Sequence, residues 1–164
     1  MSLSIQNRQR RISVSPPRLR RLVSRTLSAL SRSDRDVHLT LVDDREIRRL
    51  NRRYLGARRP TDVLAFNLEL GAGPPFLESP GPARLLGEVI ISAETAARQA
   101  ARLRIPVALE LDLLLVHGLL HLAGYDDHNP DEARVMHERE QEILSRGRRR
   151  SLPARLWTGL LGEP

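Results

Sequence analysis

Two hydrophobic periods alternate along the chain, and this alternation restricts its fold more than any other feature. A period of two marks a half-buried strand, and a period near 3.6 marks an amphipathic helix. Residues 3–7 (LSIQN) show the first. After Ser-Pro-Pro at 15–17, residues Leu19, Leu22, Val23, Leu27 and Leu30 show the second, over a helix from Arg18 to Leu30. Residues 37–42 (VHLTLV) return to a strand with His38 on its more polar face. Asp43 and Asp44 then offer a cap to a helix carrying Ile47, Leu50 and Tyr54. Gly56 and Pro60 close that helix, Asp62–Leu70 reads as a strand, and residues 71–82 (GAGPPFLESPGP) read as a loop. A strand over 85–92 (LLGEVIIS) leads through Ser92, a cap, into the helix AETAARQAARL. Pro106 opens a further helix that runs to about Ala123, where Gly124 ends it, and a last helix begins at Asp131. This order predicts a mixed α/β layer fold and excludes a bundle or a barrel. Residues 1–145 read as one domain. Residues 146–164 form a basic C-terminal extension, expected to be loosely attached, with Trp157 an isolated aromatic in it.

A length of 164 residues suits one domain with a real core. No apolar run approaches the roughly 20 residues of a spanning helix, which excludes integral membrane function. The N-terminal MSLSIQNRQRR lacks the apolar stretch of a secretory signal, so a cytoplasmic protein is expected. Cysteine is absent, which excludes disulfide frameworks, thiolate zinc sites and cysteine nucleophiles. The net charge of +7 is unevenly spread: residues 1–60 hold 16 Arg against 5 acidic residues, and residues 61–164 hold 11 Arg against 15. All 27 basic residues are Arg. The guanidinium fork suits phosphate, and a basic half-molecule is the electrostatic footprint of a nucleic-acid binder. An arginine-rich surface that is merely solvated would have the same composition.

The chemistry concentrates in four of the five histidines, which lie within residues 117–137. His117 and His121 are four apart in a helical stretch, so both emerge on one face, one turn apart. Gly124 then turns the chain back and brings Tyr125-Asp126-Asp127-His128 toward them. Two imidazoles with a carboxylate or a third imidazole make a zinc site, catalytic if one position stays open to water. Two core histidines four apart are the bland alternative, which the glycine turn and the two further ligand candidates count against. The peptidase motif with Glu directly after the first His is excluded, because that position is Gly118. His137, amid charges in the last helix, reads as a solvated side chain.

Residues 117–126 (HGLLHLAGYD) resemble the H-G-x-L-H-L-x-G-Y-D-H signature of the YbeY endoribonuclease family. Residues 59–66 (RPTDVLAF) are similar to its K-P-T-D-V-L-S-F block, and residues 86–92 (LGEVIIS) to its L-G-D-I-x-I-S strand. A final helix with Met136 and Glu140 follows at the usual distance, so the resemblance covers about residues 35–145. It implies an α+β fold: a small four-stranded sheet, mostly parallel with one antiparallel strand, covered by about five helices. It also implies one bound zinc ion and a single-strand-specific endoribonuclease acting in ribosomal RNA maturation (the 16S 3′ end) and ribosome quality control. The implied partners are RNA of the small ribosomal subunit and ribosomal proteins. Two positions depart from the family pattern. Its third ligand, a His directly after Y-D, is Asp127 here, with His128 one residue later. The arginine of its N-x-x-Y-R block is Leu55 here, with Arg52 and Arg53 before it and Arg58 and Arg59 after it.

The leading expectation is metal-assisted cleavage of RNA, with His117, His121 and Asp127, or His128 in its place, holding the ion. Arg58, Arg59, Arg52 and Arg53 would contact RNA, and Arg59 is the candidate for the missing catalytic guanidinium. A non-catalytic RNA- or ribosome-binding factor with a structural metal is the alternative. A hydrolase of small substrates would fit the site but leave the arginine-rich half unexplained.

Overall fold

Segments with one apolar face and a row of open backbone donors and acceptors must pair before they can be buried. A computed structural model describes residues 1–55, 61–68 and 84–158, the side chains of Leu55 and Thr158 excepted. In it β1 (Leu3–Asn7), β2 (Asp36–Val42), β3 (Val63–Asn67) and β4 (Leu85–Ser92) form one sheet in the order β1-β2-β4-β3. β1 and β4 both run parallel to β2, and β3 is antiparallel to β4. This is the mixed sheet expected from the sequence. Five helices accompany it: α1 (Pro16–Ala29), α2 (Asp44–Leu55), α3 (Ala93–Leu103), α4 (Val107–Leu122) and α5 (Pro130–Ser145), with a 3₁₀ turn at Ala154–Thr158.

Alternation along the strands divides the core in two. Leu39, Leu41, Val89 and Ile91 face the main core with residues of α1, α3, α4 and α5. On the other face Val42, Leu64, Phe66 and Ile90 pack with Ile47, Leu50 and Tyr54 of α2. α4 is the central helix, with Leu113, Leu114, Leu115, Val116, Leu119 and Leu120 all fully buried, which is why its sequence is apolar on nearly every side. Gly118 lets it lie close on the sheet: a Cβ there would stand 2.6 Å from Val89 Cγ1. No described helix is long and apolar enough to cross a membrane.

Differences from the sequence expectations are local. α1 begins at Pro16, two residues early, because proline suits the first helical position. α5 begins at Pro130, capped by Asn129, whose Oδ1 accepts from Glu132 N at 2.9 Å. β3 ends at Asn67, whose side-chain amide donates to Leu122 O at 2.6 Å. The helix stop at Gly56 and Pro60, the strand end at 69–70 and the loop at 71–82 lie outside the described residues. The expectation for the C-terminal extension fails. Loose attachment does not describe residues 152–157, because Leu156 is fully buried in the main core, with Leu152 and Trp157 packed against it. Burying these side chains outweighs the entropy of ordering the short segment.

Candidate metal centre

Seated on the sheet by Gly118, the C-terminal half of α4 presents His117 and His121 with their Nε2 atoms 3.1 Å apart and their rings crossed at 83°. Each ring is held by its other nitrogen. Nδ1 of His117 donates to Oε1 of buried Glu140 on α5 at 2.6 Å, and Nδ1 of His121 donates to the Tyr125 carbonyl at 3.1 Å. With both protons on Nδ1, both Nε2 lone pairs aim into one space. Lone pairs that close repel unless a cation lies between them, either an extra proton or a metal ion.

The chain returns over this pair through Gly124, whose φ of 98° is open to glycine at little cost. Gly124 N and Tyr125 N donate to the carbonyls of His121 and Leu120 at 3.0 Å each, which closes the turn. Asp127 then faces the gap, with Oδ2 3.7 Å from His117 Nε2 and Oδ1 3.8 Å from His121 Nε2. His128 turns outward, 84% exposed, with Nε2 3.1 Å from Asp126 Oδ2. Among the described residues two groups could gather an ion: His117, His121 and Asp127, and the more exposed Asp126, Asp127 and His128. Only the first joins two oriented imidazoles.

Burial opposes a charge on His117, but the Glu140 hydrogen bond and the carboxylates of Glu140, Asp127 and Asp62 hold its pKa above the ordinary histidine value. Burial and the neighbouring His117 depress that of His121. The two rings thus do not both favour a proton, and the gap accommodates a single cation. Two imidazole nitrogens and a carboxylate oxygen form a donor set suited to zinc, so these residues fit a divalent metal.

The sequence pattern described as Endoribonuclease YbeY matches residues 4–148. The chain belongs to the YbeY family. Endoribonuclease YbeY of Syntrophus aciditrophicus is 39% identical over 146 residues, which cover 88% of each chain. That of Geobacter metallireducens is 42% identical over 150 residues, 88% of this chain and 95% of the relative. The solution structure of TM1509 from Thermotoga maritima has the same fold, with a TM-score of 0.55 at 24% identity over 87% of this chain and 86% of that one.

Within this YbeY fold the histidines and Asp127 come together, and the arginines expected at RNA do not all join them. Arg53 stacks on the Tyr54 ring, 5.3 Å from its centroid, and lines a cleft of about 500 Å³ with His38, Thr40 and Glu88, on the sheet face away from α4. Arg52 is exposed beside it on α2. Arg58 and Arg59 lie outside the described residues, and Leu55 is the last residue of α2. Glu140 has a part that the sequence reading missed. A carboxylate in the core-facing row Met136, Glu140, Ile143 and Leu144 of α5 was the available signal. His137 departs from its expected solvation: its side chain is 18% exposed and its ring packs on Trp157, because the C-terminal extension folds over it.

Proposed function

We propose that the chain is a zinc-dependent endoribonuclease of single-stranded RNA, with residues 1–145 as the catalytic domain. Its substrate is ribosomal RNA of the small subunit, in cytoplasmic rRNA maturation at the 16S 3′ end and in ribosome quality control. The observation that carries the reading is the pair of Nε2 lone pairs 3.1 Å apart, faced by Asp127, in a member of an endoribonuclease family. His117, His121 and Asp127 would hold the ion. When bound, a zinc ion supplies Lewis acidity, lowering the pKa of water to about 7 and offsetting charge on a phosphoryl oxygen. The protein's own groups do the rest. Glu140 and the Tyr125 carbonyl keep the two rings aimed at one point, and His128, which is exposed, would act from the substrate side. Arg58 and Arg59 contact RNA phosphates, with Arg59 in place of the guanidinium missing at Leu55. Arg52 and Arg53 extend the basic surface, and ribosomal proteins are possible further partners.

Zinc content and RNA cleavage measured together test this reading. The wild-type chain should carry about one zinc and cleave single-stranded RNA. His117→Ala and Asp127→Ala should lose both, and His128→Ala should keep the metal. Loss of zinc in His128→Ala with retention in Asp127→Ala would reverse the ligand assignment. Equal cleavage by wild type and His117→Ala would remove the activity from this site. Zinc binding without cleavage would make the chain an RNA-binding factor with a structural metal. A 2′,3′-cyclic phosphate product would identify the RNA 2′-hydroxyl as nucleophile.

A further inference from the structure

Glu140 gives only one of its carboxylate oxygens to His117, the 2.6 Å bond from Nδ1 to Oε1. Its other oxygen, Oε2, stands 3.7 Å from Nδ1 of His137, one turn earlier in α5. The far side of the His137 ring shows where its proton lies. An amide nitrogen only donates, so Gln141 Nε2, 2.9 Å away, donates to His137 Nε2 and leaves the ring proton on Nδ1. That N–H is buried without a hydrogen-bond partner, and the carboxylate oxygen beside it is the one Glu140 has left over. Trp157 holds the ring in place, with the two rings edge to face and their centroids 4.9 Å apart at 84°. Leu156, fully buried, anchors the tryptophan's segment. Both residues lie beyond position 148, where the match to the family pattern ends.

We propose that His137 and Trp157 are positioning residues for His117, so that the C-terminal extension helps to build the metal centre. The proposal rests on the reading of His117 as a metal ligand. At 3.7 Å the contact is electrostatic and not a hydrogen bond, but in a buried setting an unpaired N–H beside a carboxylate attracts it. Glu140, drawn from one side by His117 and from the other by His137, loses its freedom to rotate. His117 Nε2 then stays aimed at the gap. Partners of this kind behind a ligating histidine set both its orientation and its basicity.

Zinc affinity by chelator competition, the visible spectrum of the Co²⁺-loaded protein and metal-free thermal unfolding test the proposal in the full-length chain. His137→Phe keeps a ring for Trp157 to pack on and removes the N–H. It should weaken zinc binding by about three- to tenfold, less than a direct partner of a ligand would, and shift the Co²⁺ bands, with metal-free unfolding unchanged. Trp157→Ala should weaken zinc binding similarly, and Trp157→Phe should restore it. Wild-type affinity and Co²⁺ bands in His137→Phe would overturn the proposal and leave the metal site standing. So would a change confined to the unfolding temperature. Failure of the wild-type chain to bind zinc would overturn both readings.

Discussion

Glu110 lies seven residues before His117 on the same stripe of α4, with its side chain fully buried and neither carboxylate oxygen hydrogen-bonded. Burial, then the charge of Asp62, push its pKa up to about 7, against partial relief from Arg102. The folded chain therefore keeps a proton that the unfolded chain releases near the ordinary value of 4.5. Stability should fall as pH rises through that window, by on the order of 3 kcal/mol, with the full penalty present above it. Glu110→Gln cannot ionise. Urea midpoints of the metal-free chains should decline more steeply for wild type than for the variant between about pH 5 and pH 8, the histidine pair contributing alike to both; parallel curves would show that Glu110 does not change its ionisation on folding. The histidine pair and the buried carboxylate differ in legibility at this scale. His117 and His121 were evident because four-residue spacing fixes their common face within one helix. Glu140 and the Tyr125 carbonyl reach the rings from a second helix and from a turn, which no local period encodes.

Asp43 and Asp44 together looked like one helix cap, and the fold gives them different work. Asp43 Oδ1 accepts from Glu46 N at 2.8 Å and caps α2. Asp44 crosses to α3: Oδ1 accepts from Ser92 Oγ at 2.5 Å and Thr95 Oγ1 at 2.6 Å, and Oδ2 accepts from Arg98 at 2.5 Å. Burial alone would raise the Asp44 pKa, but the bonds from Arg98, Ser92 and Thr95 take it down to about 2. Its contribution is present above the ordinary 3.8 and lost as pH falls through about 2. With Arg98 largely in solvent, about 1–2 kcal/mol remains. Asp44→Ala should lose that amount at neutral pH, and its gap from wild type in denaturant midpoints should close between about pH 4 and pH 2. A gap that persists at the acid end would assign the loss to hydrogen bonds and packing that do not need the Asp44 charge.

Across the whole molecule, nine of the 16 Arg of the first 60 residues lie on α1 and α2, while the metal-centre residues come from the more acidic remainder. An RNA strand reaching His117 would thus meet two regions of opposite sign. Its affinity should fall steeply with salt, because each neutralised phosphate releases counterions. Arg58→Ala with Arg59→Ala should reduce the slope of log affinity against log salt by about 1.4, the value for two single-strand phosphate contacts. An unchanged slope would place those contacts on other arginines.

Hydrophobic periods and turn residues determined the number, order and type of the four strands and five α-helices, because each depends on neighbours within a few positions. They also determined the histidine pair, for the same reason. Only the tertiary structure decided the rest. Asp127 rather than His128 faces the gap because of the way the chain leaves Gly124, and Glu140 reaches His117 because α5 packs against α4. The extension read as loose because its composition is polar and basic, yet Leu156 finds the main core and Trp157 finds His137. Contacts between residues far apart in sequence depend on how whole elements pack, and the period of a single element carries no record of its neighbour.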